Sequence, residues 1–431
     1  MSHNLEACKD QVDFPKTVRF VFPGDIILMT NEGHLQYFDG SSHRWRTLTK
    51  DKRFHSYSVI ETTRRTSLVV IGSVCGLIKL ISLDGSTEFE EQLFDGKVLS
   101  LSLLEQEDDE KKVHLLANGP DGILIFQQLV LSQKSWSTAN TRKFYLPPKK
   151  QCWLTTACLL DNVSLLICGD RGGTLHVYDL QSSKSSPEAV PATQSFHRIH
   201  SKAGLTHICY HDNSVYTCGR DGYYRMFQVT SSRLHMLQSN RVMKGLDWLT
   251  RFIKLGDSLL IIGFYMEQLL VYNLSQSELL VAIPCGGGHR AWDFVLNNDP
   301  GSSETMQNRS QPLDGSSGQF VYIKRKDVVL CDVELSSRCN VLKGSFCVKS
   351  PNGLNPTVSD FYETWTNCSF FSPENVRVIN ATVPKRSQSE VCGKTEEVKF
   401  HTLRSGIKTW DIKSICSRHE QEKFNIAEKV L

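Results

Sequence analysis

No stretch of this 431-residue chain approaches the roughly 18 consecutive apolar residues of a membrane helix, so no spanning segment is expected. The opening residues, MSHNLEACKD, lack a basic region followed by an apolar core, so no secretory signal is read there. There is no CxxC pair among the 14 cysteines, and Cys75, Cys168, Cys209, Cys218 and Cys331 each stand singly inside an apolar run. That argues against a zinc site or a disulfide frame and favours reduced, buried thiols, which implies a cytoplasmic setting. Walker, GxSxG and HExxH patterns are missing too. The glycine-rich CGGGHR (Cys285 to Arg290) precedes a strand instead of opening a helix, so it does not make a phosphate cradle. Neither sign of charge dominates, with 49 basic against 46 acidic residues. The surplus sits after Lys343, with 13 basic and 10 acidic residues, leaving 36 of each sign before it. A chain-wide field for nucleic acid is therefore excluded, and only local patches remain for that purpose. Long helical periodicity is nearly absent before residue 340.

What the chain does contain is a repeated hairpin. Seven times an apolar run enters a tight turn and returns along a second apolar run. The copies are Asp25 to Asp39, Leu68 to Leu83, Val113 to Leu129, Ser164 to Leu180, Ser214 to Val229, Ser258 to Leu274 and Gln319 to Val333. Gly33, Gly76, Gly122, Gly173 and Gly222 sit where the pattern reverses, as expected where the backbone needs positive φ. Copies six and seven offer Glu267-Gln268 and Lys326-Asp327, so their turns must differ or be strained. Another β-rich run precedes each hairpin, from VRFVF at Val18 to AWDFVLN at Ala291. A more polar run suited to an outer edge follows most of them. The spacing of about 43 to 60 residues is that of propeller blades. The reading is an all-β fold: a seven-bladed WD-type β-propeller over residues 17–344. An N-terminal extension (1–16) precedes it, a mobile insertion (297–318) interrupts it, and an irregular C-terminal tail (345–431) follows.

Candidate sites divide into two groups. In WD-type blades a Gly-His pair precedes the inner strand and its imidazole bonds within the blade; His55, His200 and His289 stand at that place. The same loop of a propeller lies on one rim, where Arg290 and Trp292 are costly residues to display idly. DRGG (Asp170 to Gly173) and RDG (Arg220 to Gly222) are turn chemistry first, yet Arg171 and Arg220 project from equivalent turns of adjacent blades. The partner-binding candidates are thus Arg171, Arg220, His289, Arg290 and Trp292. The second group is basic. Residues 122–160 contain no Asp or Glu and interleave Lys134, Arg142, Lys143, Lys149 and Lys150 with Trp136, Phe144, Tyr145 and Trp153. Such residues neutralise phosphates and stack bases, although the plainer reading is a solvated outer strand. A weaker cluster at Phe196 to His211 adds Arg198 and Lys202. No catalytic, metal-binding or cofactor-binding set is read.

Four segments carry a more specific likeness: FYLPPKKQCW, LLICGDRGGTL, HSKAGLTHICYHDNSVYTCGRDGYY and PCGGGHRAWDF. Together, over about residues 20 to 340, they resemble the WD-repeat family that partners FtsJ-like tRNA 2′-O-methyltransferases. Generic WD marks are sparse, since Trp-Asp occurs only at Trp292-Asp293 and Trp410-Asp411, neither of which closes a hairpin. Members of that family have longer chains of several propellers, and this chain resembles a middle one; residues past about Gly344 depart from the pattern. The resemblance implies a non-catalytic scaffold that helps place the anticodon wobble nucleotide, position 34, for ribose methylation. The methyl donor, S-adenosylmethionine, would belong to the partner enzyme. The implied partners are the methyltransferase and tRNA, with a serine/threonine kinase linked to some members. Lys143, Lys149, Lys150 and Lys202 become the candidate tRNA contacts. A general protein-interaction propeller in signalling or growth control, without RNA, is the alternative.

Overall fold

In the computed structural model, residues 13–335 are described apart from short segments and residues 298–315. Outside them the description covers Ser2–Leu5 and five short strands between Phe346 and Asp411. Seven antiparallel sheets follow one another along the chain. Blade 5 shows the plan: Leu205–His211, Ser214–Gly219, Tyr223–Thr230 and Arg233–Arg241 pair in that order. Blades 1 to 4, 6 and 7 open with Pro15–Phe22, Val59–Thr62, Ser100–Glu105, Leu154–Leu160, Trp248–Leu255 and Trp292–Leu296. In the seventh sheet Trp292–Leu296, Ser316–Lys324 and Asp327–Leu335 pair in that order. The fold is the seven-bladed β-propeller expected from the hairpins.

Its core lies between blades. In blade 1, Ile27 and Met29 pack with Ile60, Val69 and Ile71 of blade 2. Their neighbours Ile26 and Leu28 pack with Val295, Val321 and Val328 of blade 7. One alternating strand thus serves two neighbours, which is why the middle strands are apolar on both faces. Leu68–Gly72 is buried at every position.

Around the axis the first strands are tied by side chains. Three of them carry Leu-Thr beside a register shift, and in blades 4 and 5 the threonine there reaches the next blade. Thr155 Oγ1 donates to Leu205 O at 2.6 Å, and Thr206 Oγ1 donates to Leu249 O at 2.9 Å. The residues after Thr155 and Thr206 work in the opposite direction. Ile208 N–H donates to Thr156 Oγ1 at 3.3 Å, and Phe252 N–H to His207 Nδ1 at 3.3 Å. Burial, with the Arg251 charge adding to it, drives the His207 pKa down to about 3, so the ring stays neutral and can accept that bond. At the seam, Asp293 Oδ2 accepts from Phe20 N at 2.8 Å and Oδ1 pairs with Arg251 at 2.9 Å, joining blades 6, 7 and 1. Glu61 lies in the same charge field. Burial pushes its pKa up to about 7 against the pull of Arg19, with Asp293 adding to the rise.

Four of the strands after residue 345 form two hairpins, Cys368–Ser372 with Asn375–Ile379 and Glu397–Thr402 with Gly406–Asp411. Residues 298–315 of the expected mobile insertion lie outside the described residues, and Ser316–Lys324 is already strand.

The turn glycines meet a second constraint besides φ. Gly76 has φ 87°, and a Cβ there would fall 1.9 Å from the Phe94 carbonyl oxygen. Gly76→Ala is expected to cost about 3 kcal/mol in urea unfolding. Gly256→Ala, at φ 55° but in open space, is expected to cost only about 1 kcal/mol. Glu61 gives a pH test. Its raised folded pKa means the native state holds the proton longer than the unfolded chain, so stability declines as pH rises from about 4.5 to about 7. Glu61→Gln should match the parent at pH 4.5 and melt higher at pH 8 in thermal scans.

Candidate partner-binding rim

Strands that alternate in direction bring every second-to-third turn to one rim, together with every link to the next blade. Backbone bonds join the two. Leu93 N donates to Gly76 O at 3.0 Å, Leu146 N to Gly122 O at 2.8 Å and His200 N to Gly173 O at 3.2 Å. Val242 N repeats this with Gly222 O at 3.2 Å, and Cys285 N with Glu267 O at 2.9 Å. The rim is therefore stiff, and its side chains are displayed from a fixed frame.

The three histidines expected to bond within blades separate here. His200 does so: Nδ1 lies 3.0 Å from Asp221 Oδ1 and Nε2 lies 2.8 Å from Thr217 Oγ1, all inside blade 5. Burial outweighs the Asp221 charge and lowers its pKa, so the imidazole is neutral at pH 7. The comparable buried pair in blade 4 is made by His176, whose Nε2 sits 3.0 Å from Asp170 Oδ2. Sequence reading did not single out His176, because it lies within a strand and not in the preceding loop. His55 bonds only to Lys52 O at 2.9 Å. Among the described residues His289 makes no such bond; it stacks edge-on against Trp248, with centroids 4.5 Å apart.

That stacking belongs to a longer strip. The Arg220 guanidinium lies 4.3 Å over the Trp248 ring. Trp248 meets Phe264 at 6.1 Å, and Phe264 meets Trp292 at 5.2 Å. Arg251 lies 5.6 Å over Trp292 from the axial side. At the other end, Arg220 N donates to Gly204 O at 3.2 Å, and a Cβ on Gly204 would fall 2.8 Å from Arg171 Nη1. Loss of water from Arg220, and then the Arg171 charge, lower its pKa. Four candidates, Arg171, Arg220, His289 and Trp292, thus fall on one line across blades 4 to 7. The fifth, Arg290, stands beside His289 and folds back, its Nε donating to Gly286 O at 3.2 Å.

Two residues of this rim were missed in the sequence. Trp248 was counted only as part of a strand. Met266, 79% exposed, occupies the sixth turn with φ 51°, a left-handed backbone that disfavours a side chain. The sixth and seventh turns do differ. Tyr265 pairs directly with Gln268, and Lys324 with Asp327. Met266 and Arg325 (φ 60°) carry the strain, not the Glu267-Gln268 and Lys326-Asp327 pairs named from the sequence.

The basic group is less coherent. Lys143 is exposed on the outer strand of blade 3, opposite Ile125. Lys149, Lys150 and Lys202 lie outside the described residues. Of the aromatics interleaved with them, Trp136 and Phe144 are buried and unavailable for stacking on bases. Arg142 donates to Leu180 O at 2.7 Å, which latches blade 3 to blade 4. Arg46 makes the corresponding bond to Leu83 O between blades 1 and 2. Among the described residues no group of three His, Cys, Asp or Glu side chains is placed to hold a metal. No helix among them is long and apolar enough to cross a membrane.

No family model matches the chain. It is similar to the tRNA (34-2'-O)-methyltransferase regulator WDR6 of several animals. The mouse protein, Mus musculus, is 27% identical over 303 residues, covering 62% of this chain and 27% of the relative. That of Rattus norvegicus is 28% identical over 339 residues, covering 71% and 28%. The Drosophila melanogaster protein is 25% identical over 307 residues, covering 68% and 29%. The resemblance read from the sequence is upheld. The chain spans less than a third of the length of these curated relatives. Among solved structures, the β-propeller domain of Myceliophteria thermophila Cps50 (Swd1) aligns with a TM-score of 0.50 at 10% identity, over 77% of this chain and 100% of that one. A chain of the mitotic checkpoint complex aligns with a TM-score of 0.51 at 10% identity, over 77% and 93%. Those two likenesses show the fold.

Replacing Met266 by Gly relieves the left-handed strain and leaves the turn otherwise intact. We expect Met266→Gly to fold normally and to gain up to about 1 kcal/mol in urea unfolding.

Proposed function

We propose that this chain is a non-catalytic scaffold for ribose 2′-O-methylation of the tRNA wobble nucleotide, position 34, by a partner methyltransferase in the cytoplasm. Two things support the reading: the relatives carry the name of a regulator of that methylation, and the rim strip has the composition of a protein-binding hot spot. Trp, Tyr, Met and Arg are enriched in such patches, and here Arg220, Trp248, Met266, His289 and Trp292 stand together on a stiff frame. The strip is the observation that carries the docking role.

The mechanism is positional. A rigid ring holds the enzyme on the rim formed by blades 4 to 7, and the ring over residues 17–344 is the unit that docks. Lys143, Lys149, Lys150 and Lys202 guide the tRNA by charge. Fixing enzyme and substrate in one frame lowers the entropic part of the barrier without any reacting group from this chain. S-adenosylmethionine is held by the enzyme. The second reading is a signalling propeller that holds a serine/threonine kinase or another protein without RNA. It is favoured by the apolar residues of the rim and by the burial of Trp136 and Phe144.

A pull-down with an FtsJ-like methyltransferase and tRNA separates the two. Arg220→Glu and Met266→Asp are each expected to weaken capture of the enzyme by roughly tenfold, about 1.4 kcal/mol. Lys149→Glu with Lys150→Glu should lower tRNA retention at physiological salt while leaving the enzyme bound. Capture of neither enzyme nor tRNA by the parent chain supports the second reading.

A further inference from the structure

The outer strand of blade 5, Arg233–Arg241, differs from those of the other blades. It has nine residues, of which only Leu234 is buried. Blade 4 ends in a three-residue strand, Gln194–Phe196, and blade 2 in a five-residue strand, Glu88–Gln92. The long outer strand of blade 3 is covered in part by Val190–Pro191, which pairs with Phe144 and Tyr145. In the sheet order of blade 5 nothing follows Arg233–Arg241 among the described residues.

A comparison between blades shows what is unusual about the side chains. In blades 1, 5 and 6 the register between the third and fourth strands slips by one residue, and each time the extra residue is a leucine: Leu48, Leu237 and Leu280. Leu280 is 4% exposed, in the core shared with blade 7, and Leu48 packs against the core shared by blades 1 and 2. Leu237 is 50% exposed, and Met236 beside it is 52% exposed. The bulge that tucks a leucine inward elsewhere presents it to water here. Two adjacent apolar side chains on a long open edge are an aggregation hazard unless something covers them.

We propose that this edge docks an extended, acidic segment of a partner protein by strand addition. The backbone already shows the manner of reading. Leu234 N donates to Gln194 Oε1 at 3.0 Å, and Gln194 Nε2 donates to Leu234 O at 2.9 Å, so a side-chain amide from blade 4 takes both outward groups of one edge residue. An incoming strand would find the next outward-facing groups at Met236 and, past the bulge at Leu237, at Ser239. Charge selects the occupant. The strand carries no carboxylate; Arg233 and His235 lie on one face of the sheet, while Arg241 lies on the other and is ion-paired with Asp247. A second copy of the same edge would bring only further basic residues, whereas a strand with alternate Asp or Glu would pair with Arg233 and His235 on one face. The apolar residues of the guest would cover Met236 and Leu237. The edge lies on the outer circumference of the ring and its occupant is independent of the rim function proposed above.

The test uses the purified full chain and two labelled peptides of about ten residues, one alternating Glu and Val, the other Lys and Val. Fluorescence anisotropy should show the acidic peptide binding in a salt-sensitive manner. Leu237→Asp and Arg233→Glu should each weaken it at least tenfold without changing the thermal melt. Hydrogen exchange should slow at Met236 and Ser239 when the peptide is bound. Arg220→Glu on the rim should bind the peptide as the parent does. Equal binding of both peptides, equal binding by the edge variants, or preferential capture of a single-stranded RNA oligonucleotide would overturn the proposal. So would a dimer of the parent chain, seen by light scattering, that Leu237→Asp abolishes.

Discussion

The ring closes on a buried carboxylate set in an apolar seam. Asp293 sits on the first strand of the last blade, gives one oxygen to the backbone of Phe20 in the first blade and the other to Arg251 in the sixth. Arg19, donating to Trp292 O, and Gly24 N, donating to Gln319 Oε1, cross the same seam, whereas the ties between the other blades join neighbours in sequence order. This seam must bridge the two ends of a 300-residue path, where chain entropy opposes contact most strongly. The apolar seam of Phe20, Ile26 and Leu28 against Val295, Val321 and Val328 provides the bulk of the cohesion, and the buried Asp293 determines the register in which it closes.

From that closure follows the stiffness of the rim. The turn of each blade is clamped to the link that leads out of it, through glycines that let two backbones approach more closely than any side chain allows. A clamped rim can carry strained residues, and Met266 is one. Its left-handed backbone is tolerable because Glu267 O is held by the backbone of Cys285 and Gly286 on the facing loop. The same logic explains why His200 is a poor candidate for contact and Arg220 a good one. The imidazole is consumed by Asp221 and Thr217 inside the blade, while the guanidinium next to that aspartate is pushed out over Trp248. Adjacent residues of one turn thus take opposite roles, internal and external.

Much of the fold was legible in the sequence because a propeller repeats its physics. Five turn glycines and seven pairs of apolar runs are local signals, and a residue at positive φ needs no distant information to be recognised. The site was legible in part. Arg171 and Arg220 were readable as equivalent turn positions, which the ring then brings into line with His289 and Trp292. Trp248 and Met266 were not, since one reads as a strand residue and the other as an ordinary member of an apolar run. The aromatic residues of the acid-free stretch misled for the opposite reason. Trp136 and Phe144 alternate with charges in the sequence, as stacking platforms would, but the strand pleat turns both inward.

The number of blades, their strand pattern and the likeness to tRNA methyltransferase regulators were determined by the sequence alone, because each rests on short-range order repeated many times. Which side chains share a surface was decided only by closure of the ring. Residues at 171, 220, 248, 266, 289 and 292 are spread over some 120 positions, and nothing in their spacing brings them together. A circular stack of sheets does so by putting equivalent ends of successive hairpins on one rim. It likewise buries two of three bulge leucines and leaves Leu237 outside, a difference that depends on what the neighbouring blade presents and not on the leucine itself.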